Sequence, residues 1–90
     1  MSPSFSKWRE RVLGSGSIAP LQVGMSQATV ISIFGNPDDV SSIRKRGRPL
    51  ILKYGEFEFH FDDKRDHCLW LIYSEAPDGS AKFVLKDPAH

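Results

Sequence analysis

Large apolar residues alternate with polar ones along 50–54 and again along 57–61, the period of a strand with one buried face. Between the two runs stands Gly55-Glu56, a Gly-X pair suited to a two-residue type II′ turn. Closing that turn pairs Tyr54 with Phe57, Leu52 with Phe59 and Leu50 with Phe61, so the large apolar residues of both strands share one face. The other face receives Lys53 opposite Glu58 and Ile51 opposite His60, and a cross-strand ion pair from the same register supports it. After the polar turn at 62–66 a third strand is predicted over 67–73. Pairing Phe61 with His67 puts Leu69 opposite Phe59 and Leu71 opposite Phe57, and turns Cys68, Trp70 and Ile72 to the other face. Ala76-Pro77-Asp78-Gly79 is a turn signal, and 82–86 reads as a short fourth strand or a strapped tail with Phe83 and Leu85 on one side.

A period near 3.6 appears earlier in the chain. Within 24–37, GMSQATVISIFGNP, Ser26 can cap a helix whose apolar face is Val30, Ile33 and Phe34. Met25 and Val30 have the spacing of a hydrophobic staple, Gly35 can close the helix, and Pro37 cannot continue it. So short a helix is unstable alone and must dock on the sheet. Phe5, Trp8 and Val12 predict a first helix over 3–13 ended by Gly14, with Lys7, Arg9, Glu10 and Arg11 on its polar side. The linker Gly14-Ser15-Gly16-Ser17 suggests loose attachment of that helix to a core at 18–75, with 18–23 an extended lead-in. The expected architecture is one α+β domain over 1–90: two layers, two N-terminal helices on a three- to four-stranded antiparallel meander.

Charge narrows the function classes. Twelve Lys and Arg stand against eleven Asp and Glu, so the chain as a whole carries no footprint for nucleic acid or membrane. A single cysteine, Cys68, gives neither an internal disulfide nor a C-x-x-C zinc pair, which makes a reducing cytoplasm the default. The first residues lack the apolar core of a signal peptide, and no apolar run has the length of a membrane span.

Three candidate sites follow. The open sheet face would carry Trp70, Ile72, Ile51, Lys53, Glu58 and His60, with Glu56 beside them: an aromatic among charges, as at protein interfaces. The alternative is that the first helix or the C-terminal tail covers Trp70. Arg44, Lys45, Arg46 and Arg48 form a basic run able to bind phosphate, although no interleaved aromatics accompany it. His60, Asp62, Asp66, His67 and Cys68 allow a metal site or a Cys-His pair to be drawn. The metal lacks convergent ligands and the pair lacks an orienting third group, so no catalytic residue, metal or cofactor is assigned. A homodimer through the edge 50–54 is a further option, partly blunted by Pro49 and Lys53.

Gly24-Met25-Ser26, Val30 and Gly35-x-Pro37 together form a pattern that resembles the G-M-[S/T]-x-x-x-[V/I]-x-x-x-x-G-x-P signature of the BamE/SmpA-like lipoproteins and the beta-lactamase-inhibitory-protein-like superfamily. Leu52-Lys53-Tyr54 is similar to the W-x-Y that opens their sheet, with Leu for Trp. The chain is also similar to small bacterial proteins of uncharacterised role with G-x-P-D-D-V and L-K-Y-G-x-x-E-F-H-F. The resemblance implies a helical pair before a three-stranded sheet that docks a protein partner, inhibitor- or immunity-like. The absence of a lipobox cysteine departs from BamE itself, and the likeness speaks to fold more than to function.

Overall fold

The computed structural model describes residues 3–41, 50–62 and 68–88. Among these, two helices precede five strands: α1 (Pro3–Ser15), α2 (Gln27–Phe34), β1 (Asp39–Ser41), β2 (Ile51–Tyr54), β3 (Phe57–Phe61), β4 (Leu69–Glu75) and β5 (Ala81–Lys86). The strands form one antiparallel sheet in the order β1-β2-β3-β4-β5, so the expected α+β class is observed with one strand more than the upper expectation. The addition is β1, whose Asp38-Asp39 start reads from sequence as loop; Asp38 Oδ2 instead accepts from the Gly55 N–H at 2.7 Å and holds the hairpin turn. Because β1 pairs along β2, the stretch 50–54 is an inner strand and offers no edge for a dimer. The sheet edges are β1 and β5.

The β2–β3 hairpin has the expected register throughout, from Tyr54↔Phe57 to Ile51↔His60, and Phe61 N–H donates to Leu50 C=O at 2.8 Å. Gly55, at φ 59, takes the conformation that such a turn asks of glycine. On β4 the expectation fails. Phe61 pairs with Leu69 but His60 pairs with Leu71, leaving Trp70 as the extra residue of a β-bulge. One added residue inverts the alternation beyond it: Ile72 and Ser74 point into the core, Leu71 and Tyr73 away from it.

Both helices cover the inner face. Phe5, Trp8 and Val12 of α1 and Val30 and Phe34 of α2 are buried against Leu52, Tyr54, Phe57, Phe59, Phe61, Leu69 and Ile72. Six of these rings, Phe5, Trp8, Phe34, Tyr54, Phe57 and Phe59, lie 5.0 to 6.5 Å apart by centroid, several edge to face. The first helix is therefore a wall of the core, and it runs through Gly14 to Ser15. Loose attachment is not what the packing shows: the Trp8 indole N–H donates to Ile18 C=O at 2.9 Å, locking the glycine-serine connection to the helix it follows.

Helix α2 is capped as its sequence indicates. Ser26 Oγ accepts from Thr29 N–H, while Met25 and Val30 both pack on the core. Ile33 is only partly buried, and Gln27 takes its place inside. Strands secure both ends of α2: Gly24 N–H and Met25 C=O bond Leu69, and Tyr54 OH donates to Gly35 C=O at 2.7 Å. Burial pushes the Tyr54 phenol up to about 12, helped by the Asp38 charge, which keeps that donor protonated. Gly35 sits at φ 84, ψ −162, a region that only glycine occupies readily.

Glu56 leaves the open face for the inner side, another correction. Arg9 grips its carboxylate in a fork, Nε to Oε1 at 2.6 Å and Nη2 to Oε2 at 2.7 Å, and Lys82 Nζ stands 3.5 Å away. The Arg9 hydrogen bonds hold Glu56 well below the usual carboxylate value, at about 2. A depressed folded-state value means stability that is present above the ordinary 4.5 and is lost as pH falls toward 2. Both side chains are part-exposed, so solvent screening reduces the contribution to about 1 kcal/mol. Urea melts of wild type and Glu56→Gln should differ by that amount at neutral pH and converge in acid; a gap constant over the whole range would remove the charge pair as its cause.

Candidate functional site

The face of the sheet turned away from the helices is built by register alone. One row across the strands is Asp39, Lys53, Glu58, Tyr73, Val84; the next is Ser41, Ile51, His60, Leu71, Lys86. Each residue neighbours the next through a direct cross-strand pair; in the first row the charges lie toward β1 and Tyr73 and Val84 toward β5, while the second row ends on Lys86. Ile51, Lys53, Glu58 and His60 are partly buried on this face, as expected of them. His60 Nε2 lies 3.0 Å from Glu58 Oε1, two residues back on the same strand, and the His60 ring meets Trp70 edge to face at 6.1 Å.

Trp70 keeps its expected place outside the core for a different reason: the bulge carries it. It is half-buried on the side that neither helix covers, and its carbonyl accepts from Asp87 N–H at 2.8 Å, so the end of β5 runs beside it. Ile72 is corrected. It is fully buried beside Phe59 and belongs to the core. Leu71 and Tyr73 take its place on the face, and Val84 extends the patch at 52 % exposure. Counting by two from Phe61 could not find them, because the count carries no sign of the bulge. Tyr73 OH donates to Glu75 Oε2 at 3.1 Å, and this carboxylate raises the phenol above its ordinary value.

The Cys-His arrangement does not form in the expected way. His60 stands opposite Leu71, while Asp62 N–H donates to Cys68 C=O and Cys68 bridges to Ser26. Asp66 and His67 lie outside the described residues, as do Arg44, Lys45, Arg46, Arg48 and Pro49. Among the described residues no three His, Cys, Asp or Glu side chains converge on one point. On the helical side a depression of about 230 Å³ is lined by Ser4, Lys7, Arg11, Pro20, Ile33 and Phe34, two cations over an apolar floor without an acid–base pair. No described helix is long and apolar enough to cross a membrane.

No protein-family model, curated protein or solved structure matches the chain.

Proposed function

We propose that this chain is a protein-binding module, inhibitor- or immunity-like in its manner of action, rather than an enzyme, and that it docks a protein partner on the outer sheet face. The observation that carries the reading is the band Ile51, His60, Trp70, Leu71, Tyr73 and Val84: apolar and aromatic side chains gathered on the side opposite both helices. A sheet whose second face is merely solvated alternates apolar-in with polar-out. Here a tryptophan, a leucine and a tyrosine point outward together with Lys53, Glu58 and His60 around them, the composition of an interface core with a polar rim. Placement with the BamE/SmpA-like and beta-lactamase-inhibitory-protein-like proteins, and in a reducing cytoplasm, is part of the same proposal; the G-M-S helix entry and the single Cys68 support it. Anion binding by the run 44–48 rests on its four cations alone.

Trp70→Glu tests the reading. The variant should stay folded, with a thermal midpoint within about 5 °C of wild type, since the side chain is not core. A protein captured from host lysate by the wild type should be lost with Trp70→Glu and retained by Arg9→Ala, on the opposite side. Retention by a folded Trp70→Glu variant would take the interface off this face.

A further inference from the structure

The two edges of the sheet are unequal. β1 has three residues among those described, and the Asp39 carboxylate turns back to accept from Val40 N–H at 2.8 Å, a local bond that competes with any incoming strand. β5 is six residues long and lies last in the sheet order. Asp87 N–H donates inward to Trp70 C=O, and backbone direction alternates along a strand. Leu85 and Phe83 therefore face β4 with their N–H and C=O groups, and Lys86 and Val84 turn theirs outward.

The side chains along this edge alternate from Phe83 to Lys86: Val84 and Lys86 are exposed on the outer side, and Phe83 and Leu85 pack partly against the core and leave the rest of their surface at the edge. Lys82 is the extra residue of a second bulge, where pairing passes from Ser74↔Phe83 to Glu75↔Ala81, and its exposed side chain reaches Glu56. We infer that β5 is a strand-addition site for an extended acidic segment of another protein, with acidic residues opposite Lys82 and Lys86 and apolar residues between them. Backbone bonds to Val84 and Lys86 would supply affinity, and alternate side chains the choice of partner. A segment of the type Glu-Val-Val-Val-Glu sets one carboxylate beside Lys86, its central valine beside Val84, its other valines over Leu85 and Phe83, and its second carboxylate at the bulge, within reach of the long Lys82 side chain.

A second copy of the chain fits less well. Antiparallel pairing of β5 with itself, centred on Val84, would bring the bulged Lys82 of each copy toward Lys86 of the other, and like charges brought together across a pair of strands are destabilising. Lysine on an edge strand is a usual guard against self-pairing. An acidic partner turns the same two charges into attraction, and the Lys82 contact with Glu56 at 3.5 Å shows that this side chain takes a carboxylate where one is in reach.

The edge shares Val84 and Lys86 with the outer face but uses their backbone groups, so Trp70→Glu separates the two sites. A fluorescein-labelled Glu-Val-Val-Val-Glu peptide is titrated into the full chain and followed by anisotropy, with Lys-Val-Val-Val-Lys as control. The acidic peptide should bind, more weakly as salt rises. Val84→Pro removes an outward N–H without touching the β4 ladder and should weaken binding by about tenfold or more. Lys82→Glu/Lys86→Glu, which changes only exposed side chains, should reverse the preference to the lysine peptide. No binding by wild type, equal affinity for both peptides, or unchanged binding by Val84→Pro would overturn the assignment. So would loss of binding in Trp70→Glu, which moves the peptide to the face, and a wild-type dimer dissolved by Val84→Pro, which makes the occupant a second copy.

Discussion

Trp8→Ala is expected to cost about 3–5 kcal/mol and to lower the thermal midpoint by roughly 15–30 °C. Trp8 is fully buried, and its ring meets Phe5, Phe34, Phe57 and Phe59 at centroid distances of 5.8, 5.5, 5.0 and 5.5 Å. Alanine would leave a cavity bordered by side chains from α1, α2 and β3, three elements that cannot all close on it at once. The indole N–H bond to Ile18 C=O goes with it, so the segment leading into Leu21 loses its anchor. A domain of this length has roughly 5–13 kcal/mol to lose, so the change consumes much of the total. Thermal and urea unfolding of the variant give the answer directly. A midpoint lowered by only a few degrees would mean that α1 is an appendage after all.

The second large effect is Ile72→Lys, expected to cost about 4 kcal/mol or more and to leave much of the chain unfolded. Ile72 has no exposed surface and sits opposite Phe59 on one side and Leu85 on the other, so the ammonium group has no path to water along its own strand. Trp70→Lys, two positions away, should cost less than about 1 kcal/mol because its side chain already borders solvent. The pair reads out the strand register. Circular dichroism melts in which the two variants behave alike, or in which their order is reversed, would contradict the bulge.

Much of this architecture was legible in the sequence wherever a regular period held. The β2–β3 hairpin, Ser26 as cap, and the Phe5, Trp8 and Val12 stripe follow from spacing, because burial of one face imposes that spacing. What spacing cannot reveal is an interruption. β1 is too short for any period to show, and its acidic start looks like loop. The glycine-serine run suggested freedom that one tertiary bond from Trp8 removes. Of the candidate face, Ile51, Lys53, Glu58 and His60 were placed by the hairpin they belong to, whereas Leu71 and Tyr73 in place of Ile72 depended on a bulge that only the folded partner strand reveals.

The bulge at Trp70 acts as a one-residue frameshift in the reading of β4. In the unshifted frame, Leu69, Leu71 and Tyr73 would be buried and Ser74 would lie in water. In the frame adopted, Tyr73 is outside and Ser74 is inside, its Oγ buried without a hydrogen-bond partner among the described residues. Core formation alone favours the first frame, since it buries a leucine and a tyrosine in place of an isoleucine and a serine. The strand thus gives up interior apolar surface to display it outside. Deleting Trp70 would straighten the strand and leave the same residues outward, whereas pairing Trp70 with His60 would exchange the two sets at a stroke, so the character of this face is set by one unpaired residue as much as by the identity of any side chain on it.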